Sequence, residues 1–140
     1  MFQIKQPPTI IIGNNSCKNF KFKNNCLVIT SSGTKNRGWL DYLNISNYHL
    51  FDQVEPNPSI ETTTKIITAF SKMNITDIVG IGGGSSLDVA KYVAFKLKKK
   101  IILIPTTFGS GSEVTKNSVL KVNGKKQSFH DENLIADVAI

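Results

Sequence analysis

Three short runs constrain this chain more than anything else in it: "CLVIT" (Cys26–Thr30), "DIVGI" (Asp77–Ile81) and "IILIP" (Ile101–Pro105). Each is almost wholly apolar and rich in β-branched residues, without the polar alternation of a strand that faces water on one side. Strands of that kind are buried on both faces, as in parallel sheets. Helical segments stand between and after them. "PSIETTTKIITAFSKMN" (Pro58–Asn74) has Ser59 as its expected N-cap, with Ile60, Ile67 and Phe70 at helical spacing. A further helix is expected from Ser85, with Leu87, Ala90, Ala94 and Leu97 on one face. "TIIIG" (Thr9–Gly13), "YHLFD" (Tyr48–Asp52) and "DVAI" (Asp137–Ile140) read as strands, and Asn36–Asn44 as a weaker helix. Strands alternating with helices through short loops imply right-handed βαβ crossovers. The expected fold is therefore α/β: a Rossmann-like, doubly wound, mostly parallel sheet. Near the end, Asn123-Gly124 sits between two short runs and predicts a β-hairpin with a type I′ turn.

The chain has 140 residues, which suits a single domain over 1–140. No run approaches the apolar length of a membrane span, and the N-terminus lacks the order of a signal peptide. The expectation is a cytoplasmic protein without a membrane partner. Cys17 and Cys26 have eight residues between them and no C-x-x-C pattern, so they read as free thiols. Two histidines, His49 and His130, are too few for a histidine-rich metal site. The formal net charge is +7, and the densest run, "KLKKK" (Lys96–Lys100), falls at a helix end where cations complement the dipole. It has no interleaved aromatics and the chain has a single arginine, so no nucleic-acid partner is expected. The charge does favour anionic ligands.

Chemistry concentrates in two loops. "IGGGSSLDVAK" (Ile81–Lys91) follows a strand and opens a helix. Glycine removes Cβ and lets an anion approach the backbone, while free amides and the positive helix end face it. Ser85 and Asp88 stand in a capping-box relation. The stretch lacks the G-K-[ST] of a P-loop, and Leu87 replaces the last glycine of G-x-G-x-x-G. The second loop, "IPTTFGSGSEVT" (Ile104–Thr115), leaves another strand into glycines and hydroxyls, with Ser110 and Glu113 spaced as a second capping box. Two such loops at one sheet end would clamp a diphosphate-bearing dinucleotide.

Together "GGGSSLDVAK" and "PTTFGSGSEVT", with "VEPNP" (Val54–Pro58) before them and "DENLIADVAI" (Asp131–Ile140) after, resemble the iron-containing alcohol dehydrogenases. Their superfamily also holds glycerol dehydrogenases and dehydroquinate synthases. The resemblance covers nearly the whole chain and implies the N-terminal dinucleotide-binding domain of a two-domain enzyme. The family's helical C-terminal domain is absent, so the chain reads as part of a longer protein.

The resemblance implies cofactor contacts from Gly83, Gly84, Ser85 and Asp88 in the first loop. It implies others from Thr106, Thr107, Ser110 and Thr115 in the second, from Asn57 of "EPNP", and from Lys126 after the hairpin glycine. The implied reaction is hydride transfer between NAD(P) and a small alcohol or aldehyde, in a homo-oligomer, with Fe²⁺ or another divalent metal. The metal is held by one aspartate and three histidines of the helical domain, so these residues alone are expected to bind cofactor without turnover. A glycerol dehydrogenase- or dehydroquinate synthase-like enzyme, or a non-catalytic dinucleotide-binding module, are the alternatives. NAD-preferring members carry an acid after the strand resembling "CLVIT". Here Ser31 takes that place, and Ser32, Thr34, Lys35 and Arg37 leave room, donors and charge for a 2′-phosphate. NADP is therefore expected over NAD.

Overall fold

A computed structural model describes residues 1–140. Its main sheet has six strands: β1 (Thr9–Ile10), β2 (Cys26–Ile29), β3 (Tyr48–Phe51), β4 (Asp77–Gly82), β5 (Lys100–Pro105) and β8 (Val138–Ala139). Their order is β1-β8-β5-β4-β2-β3, and every pairing is parallel. The remaining strands, β6 (Asn117–Val122) and β7 (Lys125–His130), form the expected hairpin as a separate antiparallel sheet. Asn123 and Gly124 both have positive φ, 50° and 77°, as a type I′ turn requires.

The continuous apolar runs are explained by burial on both faces. Leu27, Ile29, Ile78, Ile101 and Leu103 point to one side, under α3 (Ile60–Phe70) and α4 (Gly84–Leu97). Cys26, Val28, Val79, Ile81, Ile102 and Ile104 point to the other, against Cys17 of α1 (Ser16–Asn19), Phe20, Phe22, Leu40 and Leu43. Burial lifts the Cys26 thiol to about 11, with help from the nearby Asp77 carboxylate.

α4 is buried further round than its apolar spacing predicts. Besides Leu87, Ala90 and Ala94, it buries Ser86, Val89, Lys91, Tyr92 and Val93, while Leu97 is only partly covered. The hairpin and α3 pack on the sides of the helix that the sheet leaves free. Gly80 of β4 permits the close approach: a Cβ there would lie 2.6 Å from the Ala90 methyl.

Other expectations shift in detail. Ser59 does cap α3, accepting from the Thr62 amide, but the helix buries Thr63 and Ile66 at its centre, and Ile60, Ile67 and Phe70 flank them. Of the weak helix expected at 36–44 only a 3₁₀ turn (Trp39–Tyr42) forms, entered through Gly38 at φ 77°, and the α-helix α2 (Ser32–Asn36) lies before it. No helix is long and apolar enough to cross a membrane.

Candidate functional site

β2 runs through α2 to β3 on one side, and β4 runs through α4 to β5 on the other. Their carboxyl ends therefore form the point where strand order reverses, which is where open α/β sheets bind ligands. Hydrogen bonds draw the loops leaving β2, β4 and β5 together there. The Thr30 hydroxyl donates to the Ile81 carbonyl at 2.6 Å, and the Thr106 amide donates to the Gly82 carbonyl at 2.9 Å.

The first and second loops touch. A Cβ on Gly83 would stand 3.4 Å from the Thr107 hydroxyl, and one on Gly84 would stand 3.0 Å from the Ser110 Cβ. The bare backbone that the glycines provide thus lies under the hydroxyls of the second loop. Gly83 is the N-cap of α4, so the first-turn amides of a fourteen-residue helix open onto this cradle.

Four of the expected residues, Asn57, Ser85, Asp88 and Lys126, line one polar pocket of about 270 Å³ beside the cradle, together with Lys121. Asn57 adopts φ 51°, a conformation Asn tolerates better than most residues. Its loop is fixed at both ends. The Lys121 amide donates to the Pro58 carbonyl at 2.8 Å, tying the loop to β6. The Glu55 carboxylate accepts from the Ser59 amide (2.9 Å), the Ser59 hydroxyl (3.0 Å) and the Thr62 hydroxyl (2.7 Å). Burial pushes the Glu55 carboxyl up, but these hydrogen bonds outweigh it and hold it below its ordinary value.

The two expected capping boxes are not formed. Ser85 lies inside α4, one residue past the start, and Asp88 turns away from the helix end. Its carboxylate accepts from the Ser112 hydroxyl at 2.6 Å and the Val119 amide at 3.1 Å. In the second loop Gly111 precedes a 3₁₀ turn (Ser112–Val114), and the Ser110 hydroxyl accepts from the Ser112 amide only two residues on. In each case a tertiary or shorter local partner outcompetes the spacing of three.

Thr115 stands apart from the cradle. It lines a groove with Gln3–Gln6, and its carbonyl accepts from Lys91 at 3.5 Å. Ser31 caps α2, its hydroxyl accepting from the Thr34 amide at 3.2 Å. Thr34 in turn borders the glycine loop: a Cβ on Gly82 would lie 3.1 Å from its hydroxyl.

Lys91 is the residue the sequence reading missed. It has no solvent exposure, and its ammonium donates to the carbonyls of Ser112 (2.9 Å) and Asn117 and pairs with Asp88 at 3.2 Å. Burial pushes its pKa down, and the Asp88 carboxylate opposes that shift. Asp88 and Lys91 thereby bolt the second loop and β6 onto the helix that carries the first loop. A cation inside "DVAKYVAF", flanked by apolar residues and three positions from an acid, was the available signal.

No group of three or more His, Cys, Asp or Glu side chains is placed to hold a metal ion. His49 packs edge-on against Phe70, and His130 Nδ1 bonds Asn117 Oδ1 at 2.6 Å.

Comparison with known proteins matches residues 7–140 to the model of the family described as iron-containing alcohol dehydrogenase. Long-chain-alcohol dehydrogenase 1 of Geobacillus thermodenitrificans is 40% identical over 114 residues, spanning 66% of this chain and 29% of that protein. The iron-containing alcohol dehydrogenase of Thermotoga maritima superposes with a TM-score of 0.88 at 28% identity, over 99% of this chain and 47% of its own. Sulfoacetaldehyde reductase from Bifidobacterium kashiwanohense, solved with NAD⁺, gives 0.87 at 25% identity, over 99% and 45%. The chain thus spans about half the length of these solved structures and under a third of that curated relative.

Proposed function

The chain belongs to the iron-containing alcohol dehydrogenase family, and on that premise we propose that residues 1–140 are the dinucleotide-binding domain of an alcohol or aldehyde oxidoreductase. One observation carries the reading. The glycine backbone at 83–84 and the hydroxyls at Thr107 and Ser110 meet at the strand-order reversal, over the amino end of a long helix. A diphosphate fits such a cradle, since it needs close backbone approach, amide donors and short hydroxyl donors at once.

Gly83, Gly84, Ser85, Thr106, Thr107 and Ser110 would hold the diphosphate, and Asn57 and Lys126 would flank it from the adjoining pocket. Asp88 acts differently from the other residues of its motif. It positions the second loop through Ser112, and Thr115 contributes a carbonyl to the same fixation. When bound, the dinucleotide would supply hydride chemistry at its nicotinamide. The chain's own part is to orient it and to exclude water from the loops.

The residues of this chain do not fit a resident metal ion. The iron or other divalent ion implied by the family's description would be held by residues outside 1–140. We place the small alcohol or aldehyde substrate and homo-oligomer formation in the full-length enzyme, in the cytoplasm.

Ser31 in place of an acid leaves a hydroxyl where NAD-selecting sites carry a carboxylate, which supports NADP(H) over NAD(H). Calorimetric titration with both cofactors tests the site and the preference. The expected result is micromolar or weaker binding, tighter for NADP(H), with Ser31→Asp reversing the order. Failure of both cofactors to bind would refute the site. An NAD(H) preference in the unaltered chain would refute the role given to Ser31. Turnover of an alcohol by residues 1–140 with added Fe²⁺ would refute the placement of the metal elsewhere.

A further inference from the structure

We propose that Asp52 is a specificity-determining residue of this site: it holds Lys35 in the free protein and releases it to a 2′-phosphate. The inference rests on the dinucleotide-site reading above.

β2 and β3 are neighbours in register, with Ile29 opposite Phe51. The residues that follow them are therefore side by side. The Thr30 amide donates to the Phe51 carbonyl at 2.8 Å, and the Val54 amide donates to the Thr30 carbonyl at 3.1 Å. Ser31 and Asp52 leave the sheet together at the position where a ribose 2′-substituent is read. Lys35 stands one helical turn beyond Ser31, its amide bonded to the Ser31 carbonyl at 3.1 Å. Its ammonium reaches Asp52 Oδ2 at 2.5 Å. The only other cation of this stretch, Arg37, folds over Gly33 and has no carboxylate partner: a Cβ on Gly33 would lie 3.2 Å from its guanidinium. The sequence shows two free cations after β2, and the fold neutralises one of them with an acid seventeen residues away.

The pair is built to be exchanged. The side chains of Lys35 and Asp52 keep 47% and 27% of their exposure. Pairs this open are held by equilibrium constants of no more than about fivefold. A phosphate monoester carries about −1.5 to −2 charges and three acceptor oxygens, against one charge on the carboxylate. It therefore takes Lys35 from Asp52 when present, whereas a 2′-hydroxyl leaves the pair intact. The exchange also strips Asp52 of its counter-ion, and the freed carboxylate repels the phosphate and trims the gain.

Removing the Asp52 charge should release Lys35 and abolish that repulsion, and both changes act on NADP(H) alone. The experiment is calorimetric titration of the 140-residue chain with NADP⁺ and NAD⁺, for the parent, Asp52→Asn and Lys35→Met, at low and high salt. Asp52→Asn is expected to tighten NADP⁺ by about three- to tenfold with NAD⁺ unchanged. Lys35→Met is expected to weaken NADP⁺ by about tenfold, again with NAD⁺ unchanged. Both shifts should shrink towards unity at about 0.5 M salt, where exposed charges are screened. Equal shifts for the two cofactors, or no shift for NADP⁺, would overturn the inference and leave the site reading standing. Loss of NAD⁺ affinity in Asp52→Asn would also overturn it, because Asp52 would then be the ribose acceptor. A parent chain that binds neither cofactor refutes the site reading, and this inference falls with it.

Discussion

Replacing Lys91 with methionine keeps an unbranched side chain, one atom shorter, and removes its charge and donors. The ammonium it removes is fully buried, donates to carbonyls of Ser112, Thr115 and Asn117, and pairs with Asp88 at 3.2 Å. Breaking a buried pair by deleting one partner costs about 3–5 kcal/mol. Asp88 retains the Ser112 hydroxyl and the Val119 amide, and its side chain keeps 15% exposure, so the low end applies, about 3 kcal/mol. For a chain of this size that is a fall in Tm of about 6–12 °C. Asp88→Asn leaves the ammonium buried with carbonyl acceptors alone and should cost at least as much. The double variant should recover about 1–3 kcal/mol relative to the sum of the singles.

Amide exchange locates the loss. Protection should fall across residues 112–119, while Val28, Val79 and Leu103 at the sheet centre keep theirs. The pH dependence carries the same signature. The folded pKa of Lys91 lies below its ordinary 10.5, so between the two values the unfolded chain binds more protons. The Lys91 contribution to stability therefore rises with pH across that window, and the parent-minus-Lys91→Met difference should show it. Buried ion pairs can be replaced by apolar side chains without penalty. A Lys91→Met protein as stable as the parent, with the 112–119 amides still protected, would show that packing and not the pair fixes the second loop.

Gly84→Val should leave the fold intact, because Gly84 has no positive φ, and should displace the second loop, because the new Cβ meets Ser110 at 3.0 Å. Cofactor affinity is expected to fall by more than about tenfold with a Tm shift of only a few degrees; unchanged affinity would place the phosphates elsewhere. Glu55→Gln should flatten the acid limb of the stability curve. The Glu55 carboxyl titrates below its ordinary 4.5, so its contribution is complete above that value and is lost as pH falls through the lower folded value. Parallel acid-unfolding curves for the two proteins would refute this.

What the sequence made legible is what local chemistry determines. β2, β4 and β5 follow from continuous β-branched runs, the α3 cap from Ser59, and the hairpin from Asn123-Gly124. The glycine backbone and the hydroxyl loop were visible for the same reason, since bare backbone and short hydroxyls are written directly in residue type. Contacts between distant segments were not. The spacing of Ser85 and Asp88 matches a capping box, yet Asp88 finds Ser112, twenty-four residues on. Lys35 reads as a free cation until β3 brings Asp52 beside it. The extent of α4 burial depends on a hairpin that follows the helix by twenty residues.

Two of these misses, Asp88 and Lys35, share one physical form: each is a charge whose partner the topology supplies. Apolar runs announce their environment because burial is favourable anywhere in a core, whereas a carboxylate or ammonium is stable only beside a particular donor or acceptor. The consequence for the site is a division of labour within one motif. In "GGGSSLDVAK" the first half offers bare backbone to the proposed ligand, and the second half, through Asp88 and Lys91, meets the other loop. The cradle's two walls are thus parts of one connected structure. A perturbation at Lys91, about 10 Å of helix away from Gly84 at 1.5 Å per residue, should be felt at the proposed phosphate cradle through the second loop rather than through the helix itself.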